Sequence, residues 1–290
     1  MLNKKVTVIA PAKINLTLHI TGKRDDGFHT LKSVMQSISL YDIVNVNLNS
    51  SGRINITCTD ENIPCGKRNI AYKAAQAFFD TVGLTDQGAD IHIEKHIPSE
   101  AGLGGGSADG AAVLVALNAL CGSDLSDDEL CGIGVKVGAD IPFCIKGGTK
   151  LCEGIGEIIS DAPPFPSCYL VLGKGNQGIS TKEAFGKIDS LSDLSGFDFN
   201  IEAFDNDDVA KSAEICSNIF ERVSDVREIK EIKEKIINNG GLNAVMSGSG
   251  SAVYGIFTDI DLAEKCCLEL AECGFFSSIC RPISHGSVIK

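Results

Sequence analysis

The chain has 290 residues, 43% of them apolar, enough to bury the core of one large or two medium domains. Its formal net charge of −12 excludes nucleic acid and anionic membrane as principal partners, because phosphate backbones are held by basic surfaces. Any polyanionic ligand must be held locally, by helix ends, one or two lysines and a metal ion.

Residues 1–5 lead directly into an apolar run and do not resemble a signal peptide, so export is not expected. Strands are expected at 6–10 and 14–20 on either side of Pro11, then at 43–48 and 54–59, followed by a helix over 69–82. Residues 91–95 alternate apolar and polar as a half-buried strand does, and 107–121 read as a small-residue, largely buried helix. Its best apolar run, 111–121, is interrupted by Asn118 and falls short of the roughly 20 residues a membrane span needs. A third helix over 127–137 opens on a capping box, in which Ser126 and Glu129 satisfy each other's N–H groups. Three of the eight prolines fall in residues 161–167, which blocks both helix and ladder, so the domains are expected to be 1–162 and 163–290. Beyond this linker come a strand at 169–172, helices at 207–223 and 225–238, strands at 242–246 and 252–257, a helix at 260–273 and a strand at 277–282. The fold class is α+β, and the order of the second half suggests a ferredoxin-like sheet with an added helix. Residues 189–208 are loop-rich and acidic, with the composition of a mobile segment.

Between the strand at 91–95 and the helix at 107–121 lies the most informative stretch, Pro98-Ser99-Glu100-Ala101-Gly102-Leu103-Gly104-Gly105-Gly106-Ser107. Successive glycines let backbone N–H groups turn toward one anion, and the positive end of the following helix completes a phosphate cradle. A Walker A loop is excluded because Gly106 is followed by Ser107-Ala108 with no lysine, and a dinucleotide fingerprint because Ser107 stands where its third glycine belongs.

A second short loop, Ser247-Gly248-Ser249-Gly250-Ser251, joins two strand-like runs and reads alone as a glycine-serine hairpin; with the first loop it can line a cleft between two domains. Asp140 precedes Ile141-Pro142 and is either a turn or capping aspartate or a functional carboxylate. Lys13 and Asn15 share one strand face, pointing either into a cleft or into solvent at a strand end. The twelve cysteines contain no Cys-x-x-Cys pair, and Cys266, Cys267, Cys273 and Cys280 read as small buried hydrophobes, so a reducing cytoplasm is the expected compartment.

In this order and at these distances, Pro11-Ala12-Lys13-Ile14-Asn15, the loop from Pro98 to Ser107 and the Ser-Gly-Ser-Gly loop at 247–250 resemble the three motifs of the GHMP small-molecule kinases. Residues 22–31 (Gly-Lys-Arg-Asp-Asp-Gly-Phe-His-Thr-Leu) and 138–143 (Gly-Ala-Asp-Ile-Pro-Phe) are similar to signatures of the branch that acts on a cytidine-diphosphate-linked methylerythritol. The match runs over 6–282. The resemblance implies an N-terminal domain with a left-handed β-α-β unit, a ferredoxin-like C-terminal domain, and ATP and Mg²⁺ as cofactors. It implies transfer of the γ-phosphoryl group to the substrate's 2-hydroxyl in the non-mevalonate isoprenoid pathway, by a monomer or homodimer. Asp140 would be the general base, supported by Lys13. Pro98 and Gly102, Leu103, Gly104, Gly105, Gly106 and Ser107 would hold the ATP phosphates, with Asn69 near the nucleoside. Phe28 and Phe185 would sandwich the cytosine, His29 would read its edge and Asn15 would touch the methylerythritol. Thr181, Ser247, Gly248, Ser249 and Gly250 would complete the substrate side.

The sequence departs from the family pattern at three places. Phe28 often has a tyrosine counterpart, residues 175–181 lack an expected proline, and Asp109 sets an extra carboxylate near the triphosphate that Mg²⁺ or a lysine must offset. The alternatives are a GHMP kinase for homoserine or mevalonate, which has no use for an aromatic sandwich, and a non-catalytic binding protein of the same fold.

Overall fold

The structure is a computed structural model and describes residues 5–191, 194, 201, 204 and 208–290. Its spine is a hairpin of two long strands, β1 (Lys5–Lys23) and β2 (His29–Asn49), joined by a turn at 24–28 in which Gly27 takes φ 89°. The two strands expected around Pro11 are therefore one. Proline cannot donate to a ladder, and the register shifts between Pro11 and Lys13, so the strand continues through an irregularity. Most of β2 escapes the sequence pattern because Ser33, Gln36, Ser37 and Asp42 are buried polar residues that break the apolar alternation.

β3 (Ile54–Cys58) runs parallel to β4 (Gly88–Glu94), and α1 (Ile70–Val82) makes the crossover between them. α2 (Gly105–Cys121) follows β4 and is buried over most of its length; Gly110 lets it approach α1, where an added Cβ would meet Ile70 Cγ2 at 2.9 Å. α3 (Asp127–Gly134) begins with the expected capping box. α4 (Ile141–Lys146) and the hairpin of β5 (Thr149–Gly154) and β6 (Ile158–Asp161) were not legible as elements, each being short and without clear periodicity.

The second sheet consists of β7 (Tyr169–Lys174), β9 (Asn243–Met246), β10 (Val253–Phe257) and β11 (Phe276–Cys280), in the order β11-β7-β10-β9 with antiparallel neighbours. Reading its strands in chain order gives 4-1-3-2, the ferredoxin-like arrangement, covered by α7 (Arg227–Asn238) and α8 (Ile260–Glu272). Ile229, Ile232 and Ile236 of α7 are buried against it, and Gly173 makes room for Ile232. α5 (Thr181–Ile188) precedes the acidic segment 189–208, most of which lies outside the described residues.

The single helix expected over 207–223 is a correction: α6 (Val209–Ile215) stops, β8 (Ser217–Asn218) pairs with β1, and a 3-10 turn (Ile219–Arg222) follows. Asn218 breaks the helix because its amide donates to Met246 O at 2.6 Å and Gly248 O at 2.7 Å, while its Oδ1 accepts from Phe220 N. Strand pairing links the two halves again at the end of the chain, where β12 (Val288–Ile289) joins β1. All twelve cysteines are free. Cys266 and Cys280 are buried as expected, Cys267 is half-buried and Cys273 is exposed, because Cys273 ends α8 on its solvent side. Burial pushes the Cys152 and Cys216 thiols up to about 12, which keeps them inert core groups. Among the described residues no helix is long and apolar enough to cross a membrane.

Candidate active site

The glycine loop takes its shape from three left-handed residues, Glu100 (φ 51°), Gly102 and Gly104. Gly102 (φ 73°) lies against the second loop, where an added Cβ would fall 2.0 Å from Ser247 O; Gly104 (φ 73°) lies on Lys13, whose Cγ would be 2.9 Å away. Gly104 is also the N-cap of α2 and has no side chain to cap it, and the first intrahelical bond runs from Ala108 N to Gly104 O. The N–H groups of Gly105, Gly106 and Ser107 are thus left at the positive end of a 17-residue helix, facing the cleft.

Lys13 enters this cleft from β1. Its Nζ donates to Asn15 Oδ1 at 2.7 Å and stands 3.6 Å from Asp140 Oδ2. The lysine side chain is 5% exposed and the aspartate 31%, so one face of the carboxylate is open to a ligand. Asp140 occupies the N-cap position of α4, yet its side chain makes no capping hydrogen bond, which leaves the carboxylate free for chemistry. Asn15 is itself fixed, its amide donating to Ser33 Oγ at 2.8 Å. Ser247 does not line the cleft; it ties the two loops from behind, its Oγ donating to Gly102 O at 2.9 Å and accepting from Asn15 N at 3.3 Å.

At the far end, α5 and the 24–28 turn supply aromatic rings. The His29 ring stacks on Phe185, with centroids 4.9 Å apart and planes at 23°, and Phe28 on the turn, 60% exposed, lines the same cleft. Phe185 is backed edge-on by Phe220 at 4.9 Å. Asp189 at the end of α5 fixes the His29 ring: its Oδ1 meets His29 Nε2 at 2.8 Å and its Oδ2 accepts from Lys23 Nζ at 2.6 Å. These hydrogen bonds from Lys23 and His29 hold the Asp189 carboxyl below the usual range. Thr181 Oγ1 lies 3.1 Å from Ser249 Oγ, joining α5 to the second glycine loop. Asn69 lines the opposite end, but its amide works as a helix cap, accepting from Ala71 N at 2.8 Å and donating to Pro64 O at 2.9 Å.

One cleft of about 1180 Å³ is lined by Lys13, Asn15, Phe28, His29, Asn69, Pro98, the loop 102–107, Asp140, Thr181, Phe185, Gly248, Ser249 and Gly250. A single small ligand commonly fills about 300–1,000 Å³, so this space suits two ligands meeting at the Lys13–Asp140 pair.

The chain is similar to known proteins over most of its length. The model of the GHMP kinases N terminal domain matches residues 69–148, and that of the GHMP kinases C terminal matches residues 200–274. A 4-diphosphocytidyl-2-C-methyl-D-erythritol kinase of Clostridium novyi (strain NT) is 46% identical over 261 residues, 89% of this chain and 92% of its own. The enzyme of the same name from Clostridium acetobutylicum is 45% identical over 264 residues, 90% and 94% of the two chains. The chain belongs to the 4-diphosphocytidyl-2-C-methyl-D-erythritol kinases of the GHMP family. A solved structure of a 4-(cytidine 5'-diphospho)-2C-methyl-D-erythritol kinase superposes with a TM-score of 0.77 at 30% identity, covering 94% of this chain and 98% of that one. Homoserine kinase from Cytophaga hutchinsonii reaches the same TM-score at 18% identity, which is a likeness of fold alone.

In this GHMP kinase the extra carboxylate of Asp109 does meet a lysine. Lys95 Nζ donates to Asp109 Oδ2 at 2.8 Å and to Asp42 Oδ2, all three side chains being buried. Neither Lys95 nor Asp42 is singled out by sequence. Lys95 ends an ordinary alternating strand, and the burial of Asp42 in β2 follows from tertiary packing alone.

Proposed function

We infer that the chain transfers the γ-phosphoryl group of ATP to the 2-hydroxyl of 4-diphosphocytidyl-2-C-methyl-D-erythritol. The observation that carries this reading is the position of the Lys13–Asp140 pair, in one cleft between the N–H groups that open α2 and the aromatic end built by Phe28, His29 and Phe185. The triphosphate lies along the glycine loop, and the cytidine end of the acceptor reaches the aromatic residues. Asp140 takes the proton of the attacking hydroxyl as its oxygen bonds to the γ-phosphorus. The bond from that phosphorus to the β,γ-bridging oxygen breaks, and ADP leaves. Lys13 steadies the ionised Asp140 and the negative charge gathering on the transferred group. Phosphoryl transfer asks a protein chiefly for positioning and charge neutralisation, and these are what a buried lysine, an open carboxylate and unpaired N–H groups provide.

Mg²⁺ is the expected counter-ion of the triphosphate. Among the described residues no group of three or more His, Cys, Asp or Glu converges to hold a metal, so these residues do not assemble a site of their own and no step is assigned to the ion. Free cysteines throughout fit a cytoplasmic setting.

The test is an ADP-release assay with 4-diphosphocytidyl-2-C-methyl-D-erythritol, homoserine and mevalonate offered separately. Turnover is expected with the cytidine compound alone; equal or faster turnover of either other alcohol overturns the assignment.

A further inference from the structure

Beneath the glycine loop lies a buried cluster of one cation and two carboxylates. The Lys95 ammonium is so close under Gly105 that an added Cβ there would stand 3.3 Å from Nζ. Asp42 is fully buried and well satisfied: Oδ1 accepts from His96 N at 2.6 Å and Ile97 N at 2.9 Å, and Oδ2 from Lys95. Asp109 is different. Its Oδ2 accepts from Lys95, but its buried Oδ1 has no hydrogen-bond partner among the described residues, and the residue lines the nucleotide end of the cleft.

We propose that Asp109 is a positioning residue for ATP: through Lys95 it fixes the floor under the start of α2, and a proton on its Oδ1 keeps that floor neutral while the triphosphate is bound. The proposal rests on the ATP reading of the cleft. With both carboxylates ionised the cluster carries a net negative charge directly below the anion-binding N–H groups, which opposes the ligand. Asp42 is held by three donors, whereas Asp109 has one donor and an orphaned oxygen, the place where the cluster can carry a proton. Burial first, and the charge of Asp42 after it, push the Asp109 carboxyl up to about 8 against the opposing pull of Lys95. The titratable groups around it are Lys95 from the end of β4 and Asp42 from β2, with the Cys58 thiol of β3 and the Cys144 thiol of α4 also feeling its charge. Both thiols are pushed up by burial and Lys95 is held above its ordinary value, while burial raises the Asp109 carboxyl toward neutrality.

The experiment is calorimetric titration of the full chain with ATP in excess Mg²⁺ from pH 6.5 to 9.5, with cytidine 5'-diphosphate as the probe of the other end. Wild-type Kd for ATP is expected to rise roughly 5- to 30-fold as the pH climbs through about 8, the size of an ordinary coupling between a buried charge and a ligand. The Kd for cytidine 5'-diphosphate should stay flat. Asp109→Asn imitates the protonated acid and should bind ATP with one affinity across the range. Because the ATP solution is common to both proteins, titration of ATP itself would leave the slope in the variant. A flat wild-type profile overturns the proposal without needing any variant, as does a variant that keeps the wild-type slope. Absence of ATP binding at every pH would instead overturn the ATP reading itself.

Discussion

Asp140 and Lys13 illustrate how little of a residue's role is contained in its type. A proline two residues later marks Asp140 as a turn or cap from sequence, but the carboxylate declines the capping bond and faces Lys13 across 3.6 Å. Asn15 holds the lysine independently at 2.7 Å, so the cation stays in place when the carboxylate is changed. Asp140→Asn keeps the shape and loses the proton acceptor. It should lower kcat by about 10²-fold or more while Kd for ATP changes little. Rate assays paired with thermal melts decide the matter: full activity, or a loss that follows the melting temperature, would show that Asp140 acts only as a turn residue.

At the scale of the element, the glycine loop is a backbone device whose members differ sharply in what they tolerate. Gly102 combines a left-handed φ of 73° with contact against Ser247 O, so Gly102→Ala adds both backbone strain and overlap with rigid backbone. A loss of roughly 2–5 kcal/mol in denaturant unfolding is expected, together with a higher KM for ATP. Gly132, in α3 with open space around it, is the control: Gly132→Ala should be neutral or stabilise by about 0.5–1 kcal/mol, since alanine loses less backbone freedom on folding. Equal behaviour of the two variants would show that the contact between the loops carries no strain.

At the scale of the molecule, the two sheets are joined through buried hydrogen bonds at the site. Tyr254 of β10 reaches into the first sheet, its hydroxyl donating to Asn15 O at 3.0 Å and Leu16 O at 3.3 Å. Burial pushes this phenol well above its ordinary value, so it remains a donor at working pH. Tyr254→Phe removes one oxygen and no packing. It should cost about 1–3 kcal/mol through acceptors left unpaired, and because these acceptors flank Asn15 it should also lower kcat. Urea unfolding followed by circular dichroism tests the first claim, and an unchanged midpoint would show that the bond contributes nothing across the junction.

The local pattern alone determined a good part of this protein. The phosphate loop between a strand and a buried helix, the capping box at Ser126, the apolar stripe of α7 and the chain order of the strands in the second half all depend on residues close in sequence. Their physics is that of φ freedom, helix ends and periodicity. The likeness of three short motifs and two further signatures to a known family supplied the rest of the expected site, including the support of Asp140 by Lys13. Only the tertiary structure decided what depends on burial between distant segments. It made β1 and β2 one long hairpin, divided the expected helix at 207–223 at Asn218, set His29 on Phe185, and brought Lys95 and Asp42 to the carboxylate of Asp109. Each of these involves a polar side chain whose place is set by partners from other segments. A polar residue in sequence reads as solvent-facing, and its burial becomes favourable only when those partners arrive together.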